Sequence, residues 1–501
     1  MAKVSDELLE MLGEISDLGR ARELLAWDEH TKMPPRGAAA RAEQIATLTR
    51  LRHRRLASDE LGRLLDAAEA TLEGARPDSF AASLVRVSKR DWEKARRVPA
   101  ELRAEIARTT ALAEHTWEAA RAESDFGAFL PSLERVIELK RRYLECFEFD
   151  HPYDPLLDDF EPEMKTAELG PLLARVRDGV GELLAEIAAA GTELDASPLF
   201  GSFPPGEQEA LAQDVAARLP LEPDSWRLDS TVHPFATGIA ISDLRITTRF
   251  DPGYVGTALW SVIHEVGHAM YNNGIDPELA RTPLCRSTSM GFDESQSRLW
   301  ENWVGRGRPF LGHLLPLLAE RFPERFAGLE AEELYRAANR VGASPIRVEA
   351  DEVTYNLHIV LRFELELALF EERIAPRELP EAWRERTREY LGIEVADDAA
   401  GVLQDVHWAA GLYGYFPTYC LGNMIAAQVW EGARAELADL DDQLARGELA
   451  PLRDHLRERI YRHGAKLAPT ELIEAVTGGP LDPGPLIAGL RRKYGELYEL
   501  G

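Results

Sequence analysis

Two histidines four residues apart, with a glutamate beside the first, give this chain its best-placed chemistry: His264-Glu265-Val266-Gly267-His268. On a helix, positions i and i+4 share a face, so both imidazoles can turn toward one cation while the carboxylate points beside it. Zinc suits such a pair, because it takes neutral nitrogen ligands in a tetrahedral shell and a catalytic site leaves one position open to water. Water next to the ion is acidic near neutral pH, and Glu265 can take its proton as the oxygen attacks a carbonyl carbon. The competing reading is a helix that carries two surface histidines. A third ligand decides between them.

One class of metal hydrolases with this pattern has a further His six residues beyond the second, with Gly three beyond. Here those positions hold Gly274 and Tyr271, which excludes that class. The other common solution is a glutamate on a following helix. Asp276, Glu278, Asp293, Glu294 and Glu301 all lie downstream. Asp276 and Glu278 flank Pro277 in a turn-like stretch, whereas Glu294 opens a segment, Ser295 to Val304, that reads as helix and can return antiparallel to the first. Glu294 is therefore the expected third ligand. Glu301, two turns further along the same face, reads as a supporting or solvated carboxylate.

The elements that must position these residues follow from periodicity. Ala258 to Tyr271 keeps Leu259, Val262, Val266 and Met270 at helical spacing. From Ser5 to about Ala190 apolar residues recur at three and four positions, with breaks at Met33 to Gly37, His151 to Pro155 and Ser197 to Gly206, where Pro and Gly cluster. Between Trp226 and Phe250 the pattern changes: Ile239, Ile241, Leu244 and Ile246 with Thr247 and Thr248 suggest short strands. Helical periodicity resumes at Thr257 and runs almost to the C-terminus, interrupted at Gly274 to Pro283, Gly305 to Pro309 and Ala375 to Pro380. The fold expected is mainly α, a large helical body with a deep central cleft and a small β-sheet beside the metal-binding helix. Residues 1–200 form an N-terminal helical region of the cleft wall, and residues 201–501 the catalytic region, within one continuous unit.

Other motifs accompany the pair of histidines in a recognisable order. Asp243-Leu244-Arg245-Ile246-Thr247, Glu294-Ser295-Gln296, Ile346-Arg347-Val348-Glu349-Ala350-Asp351 and Gly401-Val402-Leu403-Gln404-Asp405-Val406-His407-Trp408 follow one another. With them the sequence resembles the carboxypeptidase Taq family of metallocarboxypeptidases, and weaker likeness extends to Leu25 to Gln44 and Phe416 to Gly422. One position departs from the family pattern: the residue before the third ligand is usually His, and this chain has Asp293. The resemblance implies a homodimeric, mostly helical zinc enzyme with a deep groove that removes single residues from peptide C-termini with broad side-chain tolerance. Ligand softness also admits cobalt or manganese. An endopeptidase or a dipeptide-releasing peptidase on the same scaffold is the alternative, since the metal helix alone does not choose where a peptide is cut.

An exopeptidase of this kind must recognise a free terminal carboxylate, for which Arg offers a planar, permanently charged fork. Arg245 and Arg347 are the candidate clamps, with structural salt bridges to Asp243 and Asp351 as the alternative, and Gln404 is a further candidate substrate contact. His407 reads as a donor to the polarised carbonyl, its tautomer held by Asp405, or else as a satisfied core histidine. Tyr415 and Tyr419 are candidate phenol donors that share a helical face only if Pro417 permits a helix there.

Bulk properties narrow the partners. A net charge of -28, spread along 501 residues, argues against nucleic acid, which needs a basic footprint. Three cysteines, Cys146, Cys285 and Cys420, match neither a disulfide framework nor a Cys-x-x-Cys metal site, and a reducing, cytoplasmic setting is the simpler expectation. No signal peptide and no run of about 20 apolar residues is evident, so no membrane association is expected.

Overall fold

The computed structural model describes residues 4–500. They fold mainly as α-helices with one three-stranded sheet, as the periodicity predicts. The chain divides into two compact units, each assembled from three stretches: residues 1–96, 195–338 and 426–481 in the first, and 97–194, 339–425 and 482–501 in the second. One crossing, at 194/195, falls close to the Pro- and Gly-rich stretch near residue 200, whereas that at 425/426 lies inside the helix Pro417–Glu436. Among the described residues no helix is long and apolar enough to cross a membrane, and the three cysteines are unpaired.

In the first unit the sheet has the order β1 (Trp226–Ser230), β3 (Asp243–Thr248), β2 (Ala236–Ala240), with β1 parallel and β2 antiparallel to β3. Leu228, Leu244 and Ile246 are its buried apolar side chains. They give the sheet an apolar face, as expected of short strands rich in branched residues. β3 packs on the helix Gly256–Gly274, whose apolar residues are buried on nearly every side: Leu259, Val262, Val266 and Met270 are each almost completely inaccessible. A helix apolar all round belongs in a core, and this one carries the two histidines through it.

The helix Met290–Arg298 starts where Ser289, its N-cap, accepts a hydrogen bond from the Phe292 N–H (3.1 Å). It then widens into a π-helical turn over Leu299–Gly305. Such turns are uncommon and concentrate at functional sites. Its closeness to Gly256–Gly274 depends on Gly267: a Cβ there would lie 2.6 Å from Ser297 Cα and 2.7 Å from the Gln296 carbonyl oxygen. Only a residue without a side chain lets the two backbones approach so closely.

The second unit is helical, built on Ala100–Glu123, Phe126–Leu144, Thr166–Ala190 and the almost wholly buried Thr354–Phe370. Two findings differ from the periodicity. Residues 392–416, which hold Gln404, Asp405, His407 and Trp408, form turns with no helix or strand, closed by short-range backbone hydrogen bonds and tied by buried side-chain hydrogen bonds to other elements. The central one is Glu366, which accepts from Tyr153 Oη (2.6 Å), Trp408 Nε1 (2.8 Å) and the Gly414 N–H (2.9 Å). A helix also begins directly at Pro417. At the first helical position the missing N–H costs nothing and the fixed φ is already helical.

Candidate metal centre

His264 and His268 project from one face of the buried helix, and Glu294 reaches them from the next one. His264 Nε2 lies 3.9 Å from Glu294 Oε1, and His268 Nε2 lies 3.5 Å from Oε2. One ligand atom from each of the three side chains falls within 4.8 Å of the others. Ligands bonded at 2.0–2.1 Å in a tetrahedral shell sit about 3.3 Å apart, so the donor set and its spacing fit a zinc-sized cation. Two neutral nitrogens and one carboxylate also match the chemistry of such an ion.

Carboxylates stand behind both imidazoles. Glu301 Oε2 lies 2.9 Å from His264 Nδ1 and accepts a hydrogen bond from it, which fixes the tautomer that leaves Nε2 free to bind a cation. Asp293 Oδ2 lies 3.0 Å from His268 Nδ1, near enough for strong attraction but out of line for a directed hydrogen bond. The carboxylates are offset by two arginines on the same stretch of chain. Arg298 Nε donates to Glu294 Oε1 (2.8 Å) and its Nη1 reaches Glu301 Oε2 (3.4 Å), while Arg306 Nη2 donates to Glu301 Oε1 (3.1 Å).

These pairings decide the protonation states. Burial alone would raise Glu294, but Arg298 and the two imidazoles outweigh it and bring the group down to about 2. Burial likewise opposes ionisation of Glu301, yet His264, Arg298 and Arg306 hold it well below the usual carboxylate range. Glu265 is different. It is 6% exposed, and burial raises its pKa against the pull of the two histidines. Among these carboxylates it alone is pushed toward the range in which a group can both take and return a proton.

The other predicted residues lie on other elements. Arg245 lies on β3, where Nε and Nη2 fork onto Asp243 (2.6 and 3.0 Å) and the guanidinium covers the Trp27 ring at 4.7 Å. Arg347, Gln404, His407, Tyr415 and Tyr419 come together in the second unit. The partner of Arg347 is Asp405 (Nη2 to Oδ1, 2.8 Å), with Tyr355 Oη at 3.1 Å from Nη1; Asp351 instead accepts from Thr354 Oγ1 and nearby backbone N–H groups. Arg362, which the sequence analysis did not single out, is fully buried and holds the other oxygen of Asp405 through Nε (2.7 Å). Gln404 accepts from the Arg347 N–H and from Arg362 Nη2, and donates to the Pro345 and Ala400 carbonyls. With its carboxylate committed to two arginines, Asp405 stays 3.9 Å from His407 Nδ1 and does not set its tautomer. His407 instead lies against the Phe416 ring (4.4 Å) and has Tyr419 Oη 3.5 Å from its Nε2.

The family model described as carboxypeptidase Taq (M32) metallopeptidase matches residues 7–494. The chain belongs to this family. It is 41% identical to "Thermostable carboxypeptidase 1" of Thermus thermophilus over 98% of each chain, and 37% identical to "Carboxypeptidase 1" of Bacillus subtilis over 99% of this chain and 98% of that one. The crystal structure of an M32 carboxypeptidase from Deinococcus radiodurans R1 superposes with a TM-score of 0.94 at 39% identity, covering 98% of this chain and 99% of that one. The reading of the chain as a metallocarboxypeptidase agrees with its membership of the carboxypeptidase Taq family.

For this carboxypeptidase Taq chain the second cluster carries a stability prediction. Burial, reinforced by Arg362 and Arg347, lowers His358 to about 3, and burial likewise brings His407 to about 3. Both rings stay neutral in the fold while an unfolded histidine takes up a proton below about pH 6.5, so stability is intact above that pH and is lost as pH falls toward 3. By pH 5 each contributes a loss of about 2 kcal/mol. Denaturant unfolding of His358→Gln, whose amide can still donate to the Ser344 carbonyl that His358 Nε2 reaches at 3.0 Å, should show a correspondingly flatter acid limb than wild type. Identical limbs would mean that His358 is not neutral in the fold.

Proposed function

We propose that this chain is a zinc-dependent carboxypeptidase that hydrolyses the last peptide bond of peptides with a free C-terminus. The observation that supports it most is the convergence of His264, His268 and Glu294 next to Glu265, a buried carboxyl whose pKa burial raises. A divalent ion held by those three side chains would acidify a water and polarise the scissile carbonyl. Glu265 takes the proton from that water and then returns it to the leaving amine. Glu301 keeps the His264 ring in the tautomer that presents Nε2, and Arg298 prevents Glu294 from swinging away.

On this reading Arg347 or Arg245 pairs with the terminal carboxylate of the substrate, with Gln404 fixing the Arg347 backbone. His407, together with Tyr415 or Tyr419, donates to the reacting carbonyl as a neutral group. The family resemblance supports a homodimer, to be tested by sedimentation equilibrium, and the unpaired cysteines support a cytoplasmic setting. Zinc is the expected ion, with cobalt or manganese as substitutes.

A time course of amino-acid release from unblocked peptides tests reaction, polarity and metal together. One residue at a time should appear from the C-terminus, a chelator should stop release, and zinc should restore it. Release of internal fragments or dipeptides would instead favour the endopeptidase or dipeptide-releasing reading. Amidating the C-terminus should lower kcat/KM by at least tenfold, because the anion that an Arg pairs with has been removed. Equal cleavage of both peptides would rule out carboxylate recognition.

A further inference from the structure

The first unit contains a cavity of about 210 Å³, and none of its lining residues belongs to the metal-ligand cluster. In a chain of net charge -28 its lining is locally positive, since Arg20, Arg22, Arg52 and Arg286 face only Glu23 and Asp91. Two of the arginines are accounted for. Arg20 donates to Glu23 and to the Gly238 and Cys285 carbonyls, and Arg286 Nη2 donates to Asp91 (3.0 Å). Arg52 and Arg22 have no hydrogen bond and no ion pair among the described residues.

Arg52 is half-buried against the first helix, where its Nε would lie 3.3 Å from a Cβ on Gly19. Burial disfavours its charge, and Arg286 and Arg22 add to the effect, opposed by Asp91 and Glu23. A second, independent observation is Ser88, which also lines the cavity. It is 1% exposed and its hydroxyl has no partner. A helical serine ordinarily returns its hydroxyl to a carbonyl one turn back, and a buried polar group left unpaired is costly.

We infer that this cavity is a binding site for a small tetrahedral oxyanion of the phosphate class. The uncommitted donors come from separate elements: Arg22 from the helix Asp6–Thr31, Arg52 from Ala38–Leu56 and Ser88 from Phe80–Arg97, with the charge of Arg286 added from the loop before Ser289. Forks from several directions match an anion with three or four acceptor oxygens better than a halide or a carboxylate. The volume holds such an anion with a few waters and is smaller than the roughly 300 Å³ at which drug-sized ligand pockets begin. A bound oxyanion would tie the helices Asp6–Thr31, Ala38–Leu56 and Phe80–Arg97 to the loop that leads into the helix carrying Glu294.

Calorimetric titration of inorganic phosphate into the metal-loaded protein, against sodium chloride of equal ionic strength, tests this site. The proposal expects saturable binding of one phosphate per chain and a rise in Tm beyond the chloride control. Arg52→Gln should weaken binding by at least tenfold, and Ser88→Ala, a smaller change that decides the matter if the first variant does not fold, by roughly tenfold. No saturable binding in the wild type, or undiminished affinity in the variants because phosphate sits at the metal, would overturn it. No part of the test reads peptidase activity, so its failure leaves the proposed function untouched.

Discussion

Glu265→Gln is expected to bind one metal ion per chain as wild type does and to release amino acids at least a hundredfold more slowly. The amide preserves the size of the side chain, and neither His264 nor His268 uses Glu265 as a hydrogen-bond partner: their Nδ1 atoms face Glu301 and Asp293. The ligand set is therefore undisturbed. What the amide cannot do is accept a proton, and general-base assistance contributes about 10²–10⁴ in rate. The loss should appear in kcat and kcat/KM together, since the interaction is made only as the reaction proceeds. Near-normal turnover in a metal-replete variant would remove Glu265 from the chemistry. Loss of metal along with activity would instead make it a structural member of the site.

Gly267→Ala should lower metal affinity by at least a hundredfold and destabilise the chain by about 1–3 kcal/mol, the usual cost of overpacking. The added methyl would meet Ser297 Cα and the Gln296 carbonyl, which are backbone atoms that no side-chain rotation can move aside. The helix bearing Glu294 must then retreat from the one bearing the histidines, and a carboxylate displaced by an ångström no longer closes the ligand set. Gly432→Ala supplies the control. Nothing lies within 4 Å of its hypothetical Cβ, and alanine in a helix interior should be neutral or stabilising by about 0.5–1 kcal/mol. Competition with a chelator measures the first effect and denaturant unfolding the second. Wild-type metal affinity in Gly267→Ala would show that the close approach does not set the position of Glu294.

The helix that carries His264 and His268 was legible because its signal is local: a four-residue separation and a 3.6-residue apolar period lie within one segment. Glu294 could be chosen because turn residues disqualified Asp276 and Glu278. The sheet was legible from its branched residues. Long-range pairings were not, since Arg347 finds Asp405, 58 residues away, in preference to the nearby Asp351, and nothing periodic announces it. Arg362 and Glu366 lie in an apolar helix where a charged residue reads as an exception until its buried partners are seen. The turns of residues 392–416 were missed for a related reason: their backbone bonds close single turns, and what holds those turns in place includes distant side chains such as Glu366. Nothing within the motif itself singles out Gly267. Its importance lies on the neighbouring helix.

The two arginines braced against Glu294 and Glu301 bear on how the site responds to acid. Arg298 pairs with both carboxylates and Arg306 with Glu301, and both carboxyls are held below the usual range. The Glu294 carboxylate would therefore keep its charge, and with it its hold on a cation, well into acid solution.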